Sequence, residues 1–223
     1  MKIGLFGGTF NPIHRGHLAI AKDVLAALSL DKILFIPTGH PPHKADREVI
    51  PAEHRLEMVR LAVRGRPAFE VSDLEVLRSG KSYTIQTVED LRKDVSDGRH
   101  WYLIMGLDAF LDFPKWREPD RLASLCHLVV VSRPGLTFRG LAGHPFVKEA
   151  DPGELDRLDG RRLDRYELEL TSATRLILLC VSDWDISATE IRNHLSGKNR
   201  KTDLLPEAVE SYIMKHRLYI HPK

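Results

Sequence analysis

The first eighteen residues constrain this 223-residue chain most: the apolar run Ile3 to Phe6 passes directly into Gly7-Gly8-Thr9-Phe10-Asn11-Pro12-Ile13-His14-Arg15-Gly16-His17-Leu18. A short apolar run, a pair of glycines and then an apolar-periodic segment predict strand, tight turn and helix. Without Cβ atoms at Gly7 and Gly8 a ligand can approach the backbone, and the N–H groups of Gly8, Thr9 and Phe10 can face an anion. Pro12 cannot sit inside a helix, so the helix begins after it, near Ile13 or His14. Three residues apart, His14 and His17 share one face of the first turn, where free N–H groups and the macrodipole favour negative charge. The spacing predicts a phosphate site.

Other readings of the stretch are weaker. The glycines follow neither the dinucleotide-binding G-x-G-x-x-G pattern nor a P-loop with its Lys-Ser/Thr. A zinc site at His14 and His17 lacks a well-placed third ligand, and a purely structural turn is the bland alternative.

The rest of the chain repeats the same alternation. Leu18, Ile20, Ala21, Val24, Leu25 and Leu28 recur at helical spacing, and Lys32 to Ile36 is a continuous strand-like run, which together make a βαβ unit with a right-handed crossover. Trp101 to Met105 and His127 to Ser132 read as further buried strands. The expected fold is α/β: a Rossmann-like open parallel sheet with helices on both faces and a small C-terminal helical part, at about 187–219, in a single domain over 1–223. Residues 136–165, rich in Gly, Pro, Asp and Arg, are expected as a peripheral insertion, followed by a hairpin or late strands at Tyr166 to Leu170 and Arg175 to Val181.

In such sheets ligands lie outside the carboxyl ends of the strands, which singles out the segments that follow each strand. Pro41-Pro42-His43-Lys44 follows the second strand, and Lys44 is either a solvated loop lysine or a phosphate contact. Ser82, Tyr83 and Thr84 precede a helical pattern and can simply cap it. After the Trp101 strand, Asp108 behind Gly106 can cap a helix or accept from a ribose hydroxyl. Trp116 sits in irregular sequence, where its ring is either core or a stacking platform. Arg133 ends the last central strand within reach of a phosphate. In Asp185-Ile186-Ser187-Ala188-Thr189-Glu190-Ile191-Arg192, Ser187 and Glu190 match a capping box. His54 and Arg55 are expected on a helix surface.

Composition narrows the partners. A formal charge of +2 with no basic arm disfavours nucleic acid. Cys126 and Cys180, both within apolar runs, read as reduced thiols. Glycines interrupt the N-terminal apolar run before a signal core could form, and no run reaches membrane-spanning length, so a cytoplasmic location with no membrane partner is expected. Oligomeric state is open, a homo-oligomer included.

Two of these motifs, HRGH at His14–His17 and ISATEIR at Ile186–Arg192, together with PPHK at 41–44, SYT at 82–84 and the Gly106–Asp108 element, closely resemble those of the nicotinate-nucleotide adenylyltransferases of the HxGH nucleotidyltransferase superfamily. The resemblance covers residues 3 to 133 and 176 to 219. It implies transfer of AMP from ATP to nicotinate mononucleotide, giving deamido-NAD and pyrophosphate, with Mg2+ delivered on ATP and no dedicated metal ligands. On that reading the triphosphate is held by Gly7, Gly8, Thr9, Phe10, His14 and His17 and by Ile186, Ser187, Thr189 and Arg192, while Gly106 and Asp108 meet the sugar. Lys44, Ser82, Tyr83, Thr84, Trp116 and Arg133 meet the mononucleotide, and His14, His17, Lys44 and Arg192 stabilise charge during transfer. Asn11 stands where many members carry Asp, and Leu107 where a small residue is usual. The rivals are another adenylyltransferase of the superfamily, with nicotinamide mononucleotide or phosphopantetheine as acceptor, and a nucleotide-binding regulator without turnover.

Overall fold

The computed structural model describes residues 1–40, 49–93, 98–184, 186–197 and 202–220. Among them seven strands form one sheet: β1 (Lys2–Gly8), β2 (Lys32–Pro37), β3 (Phe69–Val71), β4 (His100–Gly106), β5 (His127–Val131), β6 (Arg165–Glu169) and β7 (Arg175–Leu179). Their order is β3-β2-β1-β4-β5-β7-β6. Every pairing is parallel except β6 with β7, a terminal antiparallel hairpin.

The central strands β1, β4, β5 and β7 are largely apolar because both faces are covered, and their period of two sorts residues between the faces. Val129 and Val131 of β5, with Ile177 and Leu179 of β7, join one cluster; Leu128, Val130, Leu176 and Leu178 join the other. On the first face lie α1 (Arg15–Ala27), α2 (Ala52–Val63), α8 (Ala188–Ser196) and α9 (Glu207–Lys215), through Val24, Met58, Ile191 and Val209 among others. The opposite face is covered by α4 (Thr84–Lys93), α5 (Leu107–Leu111), α6 (Pro119–Leu125) and α7 (Pro152–Asp159). The one-turn helix α3 (Leu74–Leu77) follows β3.

Residues 136–165 differ from the expected peripheral insertion. Phe138, Leu141, Leu155 and Leu158 are at most 2% exposed and cover β5 and β7. Each such side chain contributes roughly 1.5 to 3 kcal/mol on burial. The Asp159 carboxylate accepts from the Phe138 and Arg139 N–H groups at 2.7 and 2.9 Å, tying α7 to the turn at Phe138. The weak periodicity hid this because short turns, rather than long helices, carry the apolar residues.

The chain builds outward from β1 to β2 and β3, then returns to β4 on the other side of β1. This reversal opens a crevice at the carboxyl ends of β1 and β4, between Gly7-Gly8 and Gly106. Concavities of about 250 and 300 Å³ lie at the other ends of the strands, lined by Lys32 and Trp101 and by Tyr102 and His127.

Candidate active site

The signature loop is strained and packed at once. Gly7 faces open space, with nothing within 4 Å of the position a Cβ would take, as expected for a ligand-facing glycine. Gly8 serves a different purpose: a Cβ there would lie 3.1 Å from the Phe10 ring. Phe10 has φ of +46° and is 3% exposed, with its ring edge-on to Phe6 at 5.8 Å and to His17 at 5.1 Å. The second glycine therefore makes room for a core aromatic. Thr9 is half-buried beside it.

Helix α1 begins at Arg15 with His14 as its N-cap. The His14 N–H donates to His17 Nδ1 at 3.3 Å, and the two ring centroids lie 3.7 Å apart with the planes tilted by 30°. Because His17 Nδ1 accepts, its Nε2 carries the proton in the neutral ring and is a donor. Burial, reinforced by the Arg133 charge, lowers the His14 pKa to about 4. Burial, then His14 and Arg133, hold His17 well below its ordinary value. At neutral pH both are uncharged N–H donors.

Opposite them, Gly106 ends β4 and caps α5, so Asp108 is not itself the cap but lies in the first turn. Its exposed carboxylate accepts from Arg133 Nε at 3.2 Å. A Cβ on Gly106 would fall 2.3 Å from Asp108 Oδ1 and 2.6 Å from Arg133 Nε, so glycine is what lets this pair lie over the backbone. An exposed pair of this kind is worth at most about 1 kcal/mol, so it can open for a sugar hydroxyl or a phosphate.

The second motif closes the crevice from the C-terminal part. Ser187 caps α8 and its Oγ accepts from the Glu190 N–H at 3.4 Å, as the capping box predicts. Arg192 Nη1 donates to the Asn11 carbonyl at 3.0 Å and Nη2 to Thr189 Oγ1 at 3.0 Å. The guanidinium thus joins the start of α8 to the signature loop. Ile186 packs half-buried against the core beneath it, and Tyr219 donates from the other side to Asn11 Oδ1 at 2.9 Å. Pro206 is the N-cap of α9.

A separate group gathers at the start of α4. Ser82 is 6% exposed and its N–H donates to the His40 carbonyl at 3.4 Å, which joins the segment to the loop leaving β2. Thr84 opens the helix, and the half-buried Tyr83 ring lies 5.0 Å beneath the Arg117 guanidinium. Trp116 follows a one-turn 3-10 segment, is half-buried, and rests 5.4 Å from the Phe113 ring. It packs on the core with one side and keeps partial exposure. Lys44 lies outside the described residues.

Arg55 corrects the sequence reading outright. Expected on a helix surface beside half-buried His54, it is 1% exposed, and its guanidinium donates to the carbonyls of Thr9 and Gly39, each at 2.8 Å, and of Ile50 at 3.1 Å. Glu75, also buried, accepts from Thr87 Oγ1 at 2.7 Å, and burial raises its pKa. Both were missed because charged residues are rarely buried, and an Arg four places into a helix carries no local signal of it.

Comparisons with known proteins agree with this geometry. A cytidylyltransferase-like family model matches residues 5–194. The chain is 41% identical over 223 residues, the full length of both, to a probable nicotinate-nucleotide adenylyltransferase of Geobacter metallireducens. It is 39% identical over 219 residues to one of Dehalococcoides mccartyi, covering 98% of this chain and 97% of that one. The structure superposes on the Plasmodium falciparum nicotinic acid mononucleotide adenylyltransferase complexed with NaAD, with a TM-score of 0.70 at 18% identity over 98% and 97% of the two chains, which is a likeness of fold. Full-length identity of this order, carried on a crevice with both signature motifs intact, means that the chain belongs to the cytidylyltransferase-like family and, within it, to the nicotinate-nucleotide adenylyltransferases.

Proposed function

We propose that this enzyme transfers the AMP moiety of ATP to nicotinate mononucleotide, forming nicotinic acid adenine dinucleotide and pyrophosphate. The observation that carries the reading is the close, uncharged His14–His17 pair at the start of α1, linked through Asn11 and Arg192 to the start of α8. Such an arrangement supplies preorganised donors from two helix starts to one polyphosphate. The full-length relatives named for the same acceptor support the choice of mononucleotide.

The chemistry needs no protein nucleophile. A phosphate oxygen of the mononucleotide attacks the α-phosphorus of ATP, the bond to the β-phosphate oxygen breaks, and pyrophosphate leaves in line. Catalysis is then alignment and stabilisation of charge on the departing group. His17 Nε2–H, His14 and the Arg192 guanidinium serve the triphosphate, with the loop amides of Gly8, Thr9 and Phe10. Lys44 is the further cation, from the sequence motif alone. Asp108 receives the ribose hydroxyls and releases Arg133 toward phosphate. Mg2+ would arrive with ATP and screen phosphate charge when bound; the Asp108 carboxylate beside Gly106 is engaged by Arg133. Ser82, Tyr83, Thr84 and Trp116 hold the mononucleotide, with the free N–H groups at the start of α4 reading the nicotinate carboxylate.

The test is pyrophosphate release from ATP with nicotinate mononucleotide, nicotinamide mononucleotide and phosphopantetheine as acceptors in turn. Nicotinate mononucleotide is expected to be used orders of magnitude more efficiently than its amide, because an NH2 turned toward those donors leaves them opposed and partly desolvated. Equal efficiencies would show that the pyridine pocket lies elsewhere, and no release with any acceptor would leave a nucleotide-binding protein without turnover.

A further inference from the structure

Arg55 is fully buried, yet the three groups its guanidinium reaches are all loop carbonyls: Thr9 in the signature loop, Gly39 in the loop leaving β2 and Ile50 before α2. Its charge is desolvated, which lowers its pKa from the usual arginine value, and Glu53, Glu75 and Tyr219 act on it only at longer range. The planar fork of donors requires three segments that are distant in sequence to meet one plane.

The peptide bond makes this consequential. A trans peptide holds its C=O and the following N–H in one plane, pointing opposite ways. Drawing the Thr9 carbonyl onto Arg55 turns the Phe10 N–H away from it, and drawing the Gly39 carbonyl inward does the same for the His40 N–H. Phe10 also sits at φ of +46°, where an L side chain is strained unless its surroundings hold it. The His40 carbonyl in turn receives the Ser82 N–H, so the same clamp reaches the start of the Ser82–Thr84 segment.

We propose that Arg55 is the positioning residue of the phosphate site: it aims the Phe10 N–H at the triphosphate and fixes the signature loop against the loop leaving β2, touching no substrate itself. The inference rests on the reading of residues 7–17 as the triphosphate loop. Arg55 is thus the buried half of the anion site, working through the peptide planes it holds.

The experiment uses the full-length enzyme and inorganic triphosphate as the probe, with affinity measured by calorimetry and folding by thermal melting. Arg55→Lys is expected to stay folded but to bind triphosphate tenfold or more weakly, because an ammonium cannot hold three carbonyls at once. Arg55→Ala is expected to lose at least as much affinity and to regain it in millimolar guanidinium chloride, far below denaturing concentration, but not in equimolar urea, which has the shape without the charge. Wild-type affinity in either variant, or guanidinium that restores the melting temperature without the affinity, overturns the proposal and leaves Arg55 a structural residue. Should Arg55→Ala fail to fold, Arg55→Lys decides. Failure of the wild-type enzyme itself to bind triphosphate would instead sink the phosphate reading of the loop.

Discussion

The signature loop with its histidine pair and the start of α8 with Arg192 face the same crevice, but they are held in different ways. Phe10 and His14 are 3% and 4% exposed and belong to the core as much as to the site. Thr189 and Glu190 are exposed, and Arg192 of α8 donates to the Asn11 carbonyl of the loop at 3.0 Å. Donors fixed in a desolvated setting cost little reorganisation when charge develops near them, whereas the half-buried Arg192 guanidinium has to exchange its contacts to Asn11 and Thr189 for those it makes to a ligand. The comparison predicts that changes in the first region cost both activity and stability, and that changes in the second cost activity alone.

The sharpest test is His17→Ala. Loss of a preorganised donor should lower turnover about a hundredfold or more. Removing a ring that packs on Phe10 and His14 should also cost stability, by about 1 to 2 kcal/mol. Turnover near the wild-type value would end the catalytic assignment; a large loss of turnover with an unchanged melting temperature would break the coupling between site and core.

Acid should reveal the same coupling. In the folded protein His14 titrates near pH 4, against 6.5 for an ordinary histidine. Between these values the unfolded chain binds a proton that the native state refuses, so stability is complete above about pH 6.5 and falls as the pH drops toward 4. At about 1.36 kcal/mol per pKa unit the ceiling is about 3 kcal/mol for His14, and His17 acts in the same sense. Glu75, with its raised pKa, acts in the opposite sense, so the readout is a difference between variants. Denaturation followed from pH 7 to 4 should be shallower for His14→Gln than for the wild type. Equal slopes would mean that His14 is solvated and charged in the native protein. Arg192→Ala should leave the slope unchanged.

The smallest expected effect is that of Arg192→Ala on other properties. Removing one charge-assisted contact to phosphate, worth about 1.5 to 3 kcal/mol, should reduce kcat/KM by about tenfold to a hundredfold. The melting temperature should move little, since the change removes a part-buried polar contact while Ile191 of α8 stays packed in the core. A large drop in melting temperature would show that the α8 start supports the loop as firmly as the core does.

Much of this site was legible in the chain because it is written in local signals. The glycine turn, Pro12 before the helix, the three-residue spacing of the histidines and the Ser187–Glu190 cap each depend on residues within a turn of one another. The same holds for the central strands, whose apolar runs announced two covered faces. Arg55 was misplaced for the opposite reason. Its sequence neighbours give an ordinary amphipathic helix, and only the convergence of Thr9, Gly39 and Ile50 makes its position interior. Gly8 was likewise credited to the ligand, when the Phe10 ring claims its space.

By itself, then, the sequence determined the alternation of strands and helices, the places where helices begin, and which loops fall at the carboxyl ends of strands. These follow from hydrophobic period, capping and backbone sterics, all of them short-range. Tertiary structure alone decided that the histidines are uncharged, that Arg55 is buried, that Arg192 meets Asn11 across 181 residues of chain, and that residues 136–165 cover the sheet. Each of those depends on desolvation or on contacts between distant segments, and the free energy of a buried charge or an apolar face is set by everything packed against it, wherever in the chain it comes from.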